Sequence, residues 1–79
     1  MTGQRETTRY ATPSLRRTYK DTEWRVTAEP WHERVGFIRR HDAGWTAHTS
    51  SYHPLGLWPT KQAAAEVLVK QAGYELELT

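Results

Sequence analysis

The segment "PTKQAAAEVLVKQAG", residues 59–73, most constrains the fold. Thr60 is a good N-cap, because its hydroxyl can accept from an orphan backbone N–H of a first helical turn. Strong helix formers follow. Ala64, Val67, Leu68 and Ala72 recur at three- and four-residue spacing and make one apolar stripe. Lys70 complements the helix dipole near the end, and Gly73 suits the position just past it. A sheet with one apolar face needs a cover, and this amphipathic helix supplies it.

The sheet is read from period-two alternation. "WRVTA" sets Trp24, Val26 and Ala28 against Arg25 and Thr27. "EPWHE" interrupts, because Pro30 cannot donate to a ladder. "RVGFIRRH" is rich in β-branched and aromatic residues and reads as the next strand. "HDAG" is turn chemistry, with Asp42 able to bond back to the backbone and Gly44 tolerant of positive φ. "WTAHTS" returns with Trp45, Ala47 and Thr49 on one face and Thr46 and His48 on the other. "LGLW" is a short further strand, and "YELEL" after the helix fits a last edge strand whose glutamates discourage edge-to-edge pairing. The expected fold is α+β: a three- to four-stranded antiparallel sheet packed on one C-terminal helix, with a short final strand. Ala63, Ala64 and Ala65 let the helix approach the sheet beneath Trp45. The uncovered face is the natural binding surface, and Ile38, Arg40, Thr46 and His48 are expected on it.

Size limits what such a fold can do. A chain of 79 residues is one domain, and it buries only roughly 60% of its unfolded surface. Without cysteine it has neither a disulfide nor a thiolate metal site. Four Trp and four Tyr give a small core large apolar area per side chain. No apolar stretch approaches the roughly 20 residues of a membrane span, and "MTGQRETTRY" lacks the apolar run of a signal peptide. The expectation is a soluble, cytoplasmic chain, monomeric rather than oligomeric.

Charge is divided unevenly. Residues 1–20 carry five cations, Arg5, Arg9, Arg16, Arg17 and Lys20, against Glu6 alone. Residues 21–79 carry six cations against eight acids. Residues 1–22 have few apolar positions and no clean period, so they are expected to form a disordered basic arm ahead of a domain at residues 23–79.

Catalytic and metal chemistry find little to work with. His32, His41, His48 and His53 include no HxH or HxxxH pair. His48 and His53 could converge across a loop, but a structural zinc site usually wants four ligands. Ser50 and Ser51 lie near them in a turn, where serine is common for hydrogen-bonding reasons. No nucleophile elbow or phosphate-cradling loop appears, and the domain is small for a deep pocket. No enzyme activity, metal or cofactor is expected. Trp31, between strands and flanked by Glu29, His32 and Glu33, is either a lid over one end of the core or an exposed anchor for a partner.

"VGFIRRHDAGWTAHT…PLGLWPTKQAAAEVLVKQA" resembles the three-stranded-sheet-plus-helix DNA-binding domain of plant ethylene-response factors and the arm-binding domains of phage and transposon integrases. The resemblance covers roughly residues 34–72. It rests on Gly36, Arg39–Arg40, Trp45–Thr46–Ala47, Leu55–Gly56–x–Trp58, Thr60 and Ala64–Ala65. It implies that the exposed sheet face lies in a DNA major groove, with Arg40 at a reader position. Ile38 stands where that family usually has an arginine, and Asp42 where it often has a tryptophan; His48 replaces a commonly acidic residue, and Pro54 an aromatic one.

Two functional readings follow. The first is a small non-enzymatic module binding nucleic acid, specifically double-stranded DNA. Arg39, Arg40, Thr46 and His48 would meet DNA from the sheet face, and Arg5, Arg9, Arg16, Arg17 and Lys20 would neutralise phosphates from the arm. The second is a protein-interaction or inhibitory module gripping its partner through the sheet face, with Ile38, and through Trp31. By analogy with the short chains that phages and mobile elements encode, that partner is a host protein.

Overall fold

The computed structural model describes residues 8–18, 20 and 22–77. Five strands form one antiparallel meander: β1 (Tyr10–Arg17), β2 (Glu23–Glu29), β3 (Glu33–His41), β4 (Gly44–Thr49) and β5 (Pro54–Trp58). Helix α1 (Lys61–Gln71) then crosses the sheet to its opposite edge, where β6 (Glu75–Leu76) adds in parallel beside β1. The spatial order is β5-β4-β3-β2-β1-β6. The α+β class with one C-terminal helix is as expected, but the sheet is wider, six strands and mixed in direction rather than three or four and antiparallel.

The extra width comes from residues expected to form a mobile arm. Residues 10–17 are a strand, hydrogen-bonded to β2 along most of its length and to β6 at its start. Ala11 is fully buried and Leu15 packs against the core, so alternate positions of this Thr- and Arg-rich segment face inward. Pro13 is tolerated because β6 pairs only with Tyr10 and Ala11, leaving the outer edge of β1 unpaired beyond them.

The core lies between sheet and helix. Val26, Ala28, Val35, Ile38 and Ala47 meet Ala64, Ala65, Leu68 and Val69, with Trp24, Trp45 and Trp58 packed at one end. The buried stripe of α1 is therefore rotated from the expected one, taking Ala65 and Val69 inward; Ala72 is exposed and Val67 sits only at the margin. Thr60 caps the helix as expected, its Oγ1 accepting from the Ala63 N–H at 3.0 Å. Gly73, at φ 101°, ends it. Among the described residues no helix is long and apolar enough to cross a membrane.

A register shift in the β2–β3 ladder decides which side chains reach the open face. Val26 lies opposite Gly36, whereas Thr27 lies opposite Arg34, so β3 carries one residue more than its partner. The bulge resets the alternation, and Val35 and Ile38, three apart, are both buried. Two expected positions are corrected by it. Ile38 is 0% exposed, opposite Ala47 in the core rather than on the uncovered face. Arg40 shares the parity of Ile38 and stands opposite Trp45, on the helix side. Gly36 is required at the bulge: at φ 149° a Cβ would lie 2.1 Å from the His48 carbonyl oxygen.

Candidate nucleic-acid interface

The face away from α1 is built by one ladder row. Arg16 of β1 lies opposite Arg25 of β2, Arg25 opposite Phe37 of β3, Phe37 opposite His48 of β4, and His48 opposite Pro54 of β5. Beside it runs a second row, Glu23, Arg39, Thr46 and Leu57. Arg34, opposite Thr27, completes the face on the other side. Cations thus gather on β1, β2 and β3, and rings on β3, β4 and the turn after it.

The rings touch. Phe37 stacks on His48 with centroids 5.0 Å apart and planes 10° from parallel, and Tyr52 meets Phe37 edge-on at 5.4 Å. Tyr52 is 74% exposed. A tight turn presents it: the Tyr52 N–H donates to the Thr49 carbonyl, and the Thr49 hydroxyl accepts from the His53 N–H. Tyr52 adopts φ 68°, a left-handed conformation uncommon for a bulky residue. Between rings and cations lies an open trough of about 390 Å³, lined by Arg25, Arg34, Arg39, Lys20, Phe37 and Tyr52 among others.

The electrostatics of the trough are one-sided. Glu23 is its one lining carboxylate among the described residues, and it is paired with Arg39 at 3.1 Å. Arg16, Arg25 and Arg34 form no ion pair with a described carboxylate. His48 is held below the ordinary histidine pKa, first by burial of its ring and then by the Arg39 and His41 charges, with Glu23 opposing. Its Nδ1 is buried without a hydrogen-bond partner among the described residues. An uncharged imidazole avoids adding another cation to this crowd. The Thr46 hydroxyl is engaged locally, donating to the Arg39 carbonyl at 3.4 Å with His41 Nε2 3.1 Å away.

The expected site residues divide accordingly. Arg39, Thr46, His48 and Arg16 come together on the open face, and Lys20 lines its trough. Arg17 and Arg40 do not join them. The Arg17 guanidinium lies over the Trp24 ring at 5.3 Å, on the helix side. Arg9 sits at the far end of the sheet, 5.2 Å from the Trp31 ring centre and 5.4 Å from that of Tyr74. Arg5 lies outside the described residues. Trp31 stacks on Tyr74 at 6.1 Å and its indole N–H donates to the Tyr10 carbonyl, so it closes one end of the core while remaining 45% exposed.

Arg25, Arg34, Phe37 and Tyr52 were not expected at the site. Arg25 alternates visibly with Trp24 and Val26, which was a usable signal for its outward direction. Phe37 and Arg34 follow only once the bulge is known, and nothing in "SSYHP" marks Tyr52 as aimed back over the sheet. No protein-family model matches the chain, nor does any curated protein or solved structure.

Proposed function

We propose that the chain is a small non-enzymatic nucleic-acid-binding module that uses the open face of its sheet. The observation carrying this reading is the row Arg16–Arg25–Phe37–His48, in which guanidiniums with no ion pair to a described carboxylate run directly into stacked rings. Such guanidiniums neutralise phosphates and release counterions, and rings beside them offer stacking surfaces to bases. Like charges directly opposite on a ladder cost stability, so the Arg16–Arg25 pair is costly without an anion above it. The alternative partner, a protein gripped by Trp31 and Ile38, draws less support. Ile38 is inaccessible, and Trp31 is committed to Tyr74 and the Tyr10 carbonyl.

A salt titration tests the reading. Three arginines on phosphates, Arg16, Arg25 and Arg34, predict that log K falls against log salt with a slope of roughly −2 to −3, at about 0.7–0.9 per phosphate. Replacing Arg16, Arg25 and Arg34 together by Gln should remove most of that slope. A slope near zero in the parent chain, or one unchanged in the triple variant, rejects the reading.

A further inference from the structure

The open face has a shape as well as a charge, and its shape bears on the form of nucleic acid it takes. The row from Arg16 to Pro54 crosses five strands. At about 4.8 Å between neighbouring strands it spans roughly 19 Å. A B-form major groove is about 12 Å wide and admits a helix or a two-stranded ribbon. A face this broad does not seat flat in that groove. The cations and rings are also laid side by side, guanidiniums towards β1 and rings towards β4. A duplex would meet the arginines with its backbone and leave the rings idle, because its bases are already stacked on one another.

We propose that the open face selects single-stranded nucleic acid, holding phosphates with Arg16, Arg25 and Arg34 and receiving unstacked bases on Tyr52 and the Phe37–His48 stack. This rests on the nucleic-acid reading above and adds the form of the ligand to it. Tyr52 supports it most directly. It is a large ring, 74% exposed, in a left-handed backbone conformation within a hydrogen-bonded turn, at the rim of a trough lined by cations. Phe37 and His48 extend the aromatic surface inward from it. Burial and the neighbouring Arg39 charge favour the neutral form of His48, and a neutral ring stacks on a base without first shedding a proton's hydration. Stacking of this kind recognises the flat face that every base shares, so tolerance of sequence is part of the inference.

The test uses the full chain and fluorescence anisotropy at about 50 mM salt. The probes are a labelled mixed-sequence DNA strand of about twelve nucleotides, the RNA strand of the same sequence, and the DNA duplex. At least one single strand should bind about tenfold or more tightly than the duplex, and the tighter of the two identifies the preferred sugar. Tyr52→Ala, at an exposed position, should weaken single-strand binding by about five-fold or more and leave duplex binding unchanged. Phe37→Leu, which keeps apolar volume, should weaken it similarly, with circular dichroism confirming the fold of both variants. Duplex binding as tight as the tighter of the two strands overturns the single-strand inference. So does single-strand affinity indifferent to both ring substitutions. In both cases the nucleic-acid reading survives if Arg25→Gln still weakens binding. Absence of binding to all three probes at micromolar protein overturns that reading and this inference with it.

Discussion

Arg16 stands directly opposite Arg25 across the β1–β2 ladder, and neither forms an ion pair with a described carboxylate. Two guanidiniums placed this way repel, and cross-strand pairs are worth about 0.2–1 kcal/mol in either direction. Arg25→Thr should therefore raise stability by an amount of that order at low salt while weakening nucleic-acid binding. Thermal midpoints at low and high salt check it. The gain should shrink as ions screen the pair, and a variant less stable than its parent at low salt would contradict the account.

Ile38 and Tyr52 should separate folding from binding. Ile38 is fully buried against Ala47 and the helix. Ile38→Ala should cost about 2–5 kcal/mol by loss of transfer energy and creation of a cavity. Tyr52→Ala should stay within about 0.5 kcal/mol of the parent, as exposed substitutions do. Urea unfolding of both variants measures the contrast.

Gly36→Ala should unfold the domain. The added methyl would meet the His48 carbonyl oxygen at 2.1 Å and Leu68 at 3.0 Å, on a backbone at φ 149°. The contact is with β4 backbone in a central ladder, so little can move aside. A small domain has about 0.05–0.15 kcal/mol of stability per residue to lose. A native-like amide spectrum with an unchanged midpoint would refute the bulge geometry.

His48 gives stability a pH dependence of known sign. The unfolded chain takes up this proton near the ordinary value of about 6.5, and the folded chain resists it through ring burial and the Arg39 and His41 charges. The contribution is therefore fully present above about pH 6.5. It declines as pH falls below that value and levels off beneath the folded pKa. In His48→Gln the decline over this window should be smaller, read from urea midpoints measured at closely spaced pH.

Removal of residues 1–21 should do more than take away positive charge. It deletes β1, which pairs with β2 and β6 and contributes Ala11 and Leu15 to the core. The shortened chain should lose its cooperative unfolding transition. A folded product with native dispersion would show that β1 is an accessory rather than a structural strand.

Sequence patterning was legible where local signals agree. The strands around Trp24–Ala28 and Trp45–Thr49, the Gly44 turn, the Thr60 cap and the Gly73 stop all lie where propensity and alternation place them. Strand β1 was illegible because its inward residues are Ala11, Pro13 and Leu15, too small or too unlike a strand former to stand out among Thr, Ser and Arg. Its order comes from neighbours on both sides, a tertiary cause that no short window contains. The site failed at one point with wide effect. A single extra residue, Val35, beside Gly36 moves Ile38 inward and Phe37 outward, and sequence offers only a glycine in a strand as its mark. Arg39, Thr46 and His48 lie on the open face, as read from sequence, but Phe37, Arg25 and Arg34 beside them were not anticipated there.

The parallel seam between β6 and β1 has a consequence for biosynthesis. Tyr10 is among the first described residues to be synthesised and Glu75 among the last, yet they are ladder partners. On a ribosome the early strand can pair with β2 soon after both emerge, but its outer margin waits for β6. Until then Ala11 and its neighbours lack the cover that α1 and β6 provide. Folding of this domain should therefore finish only after β6 has left the exit tunnel, and a nascent chain stalled before β6 should remain sensitive to protease at β1 rather than at β3 or β4.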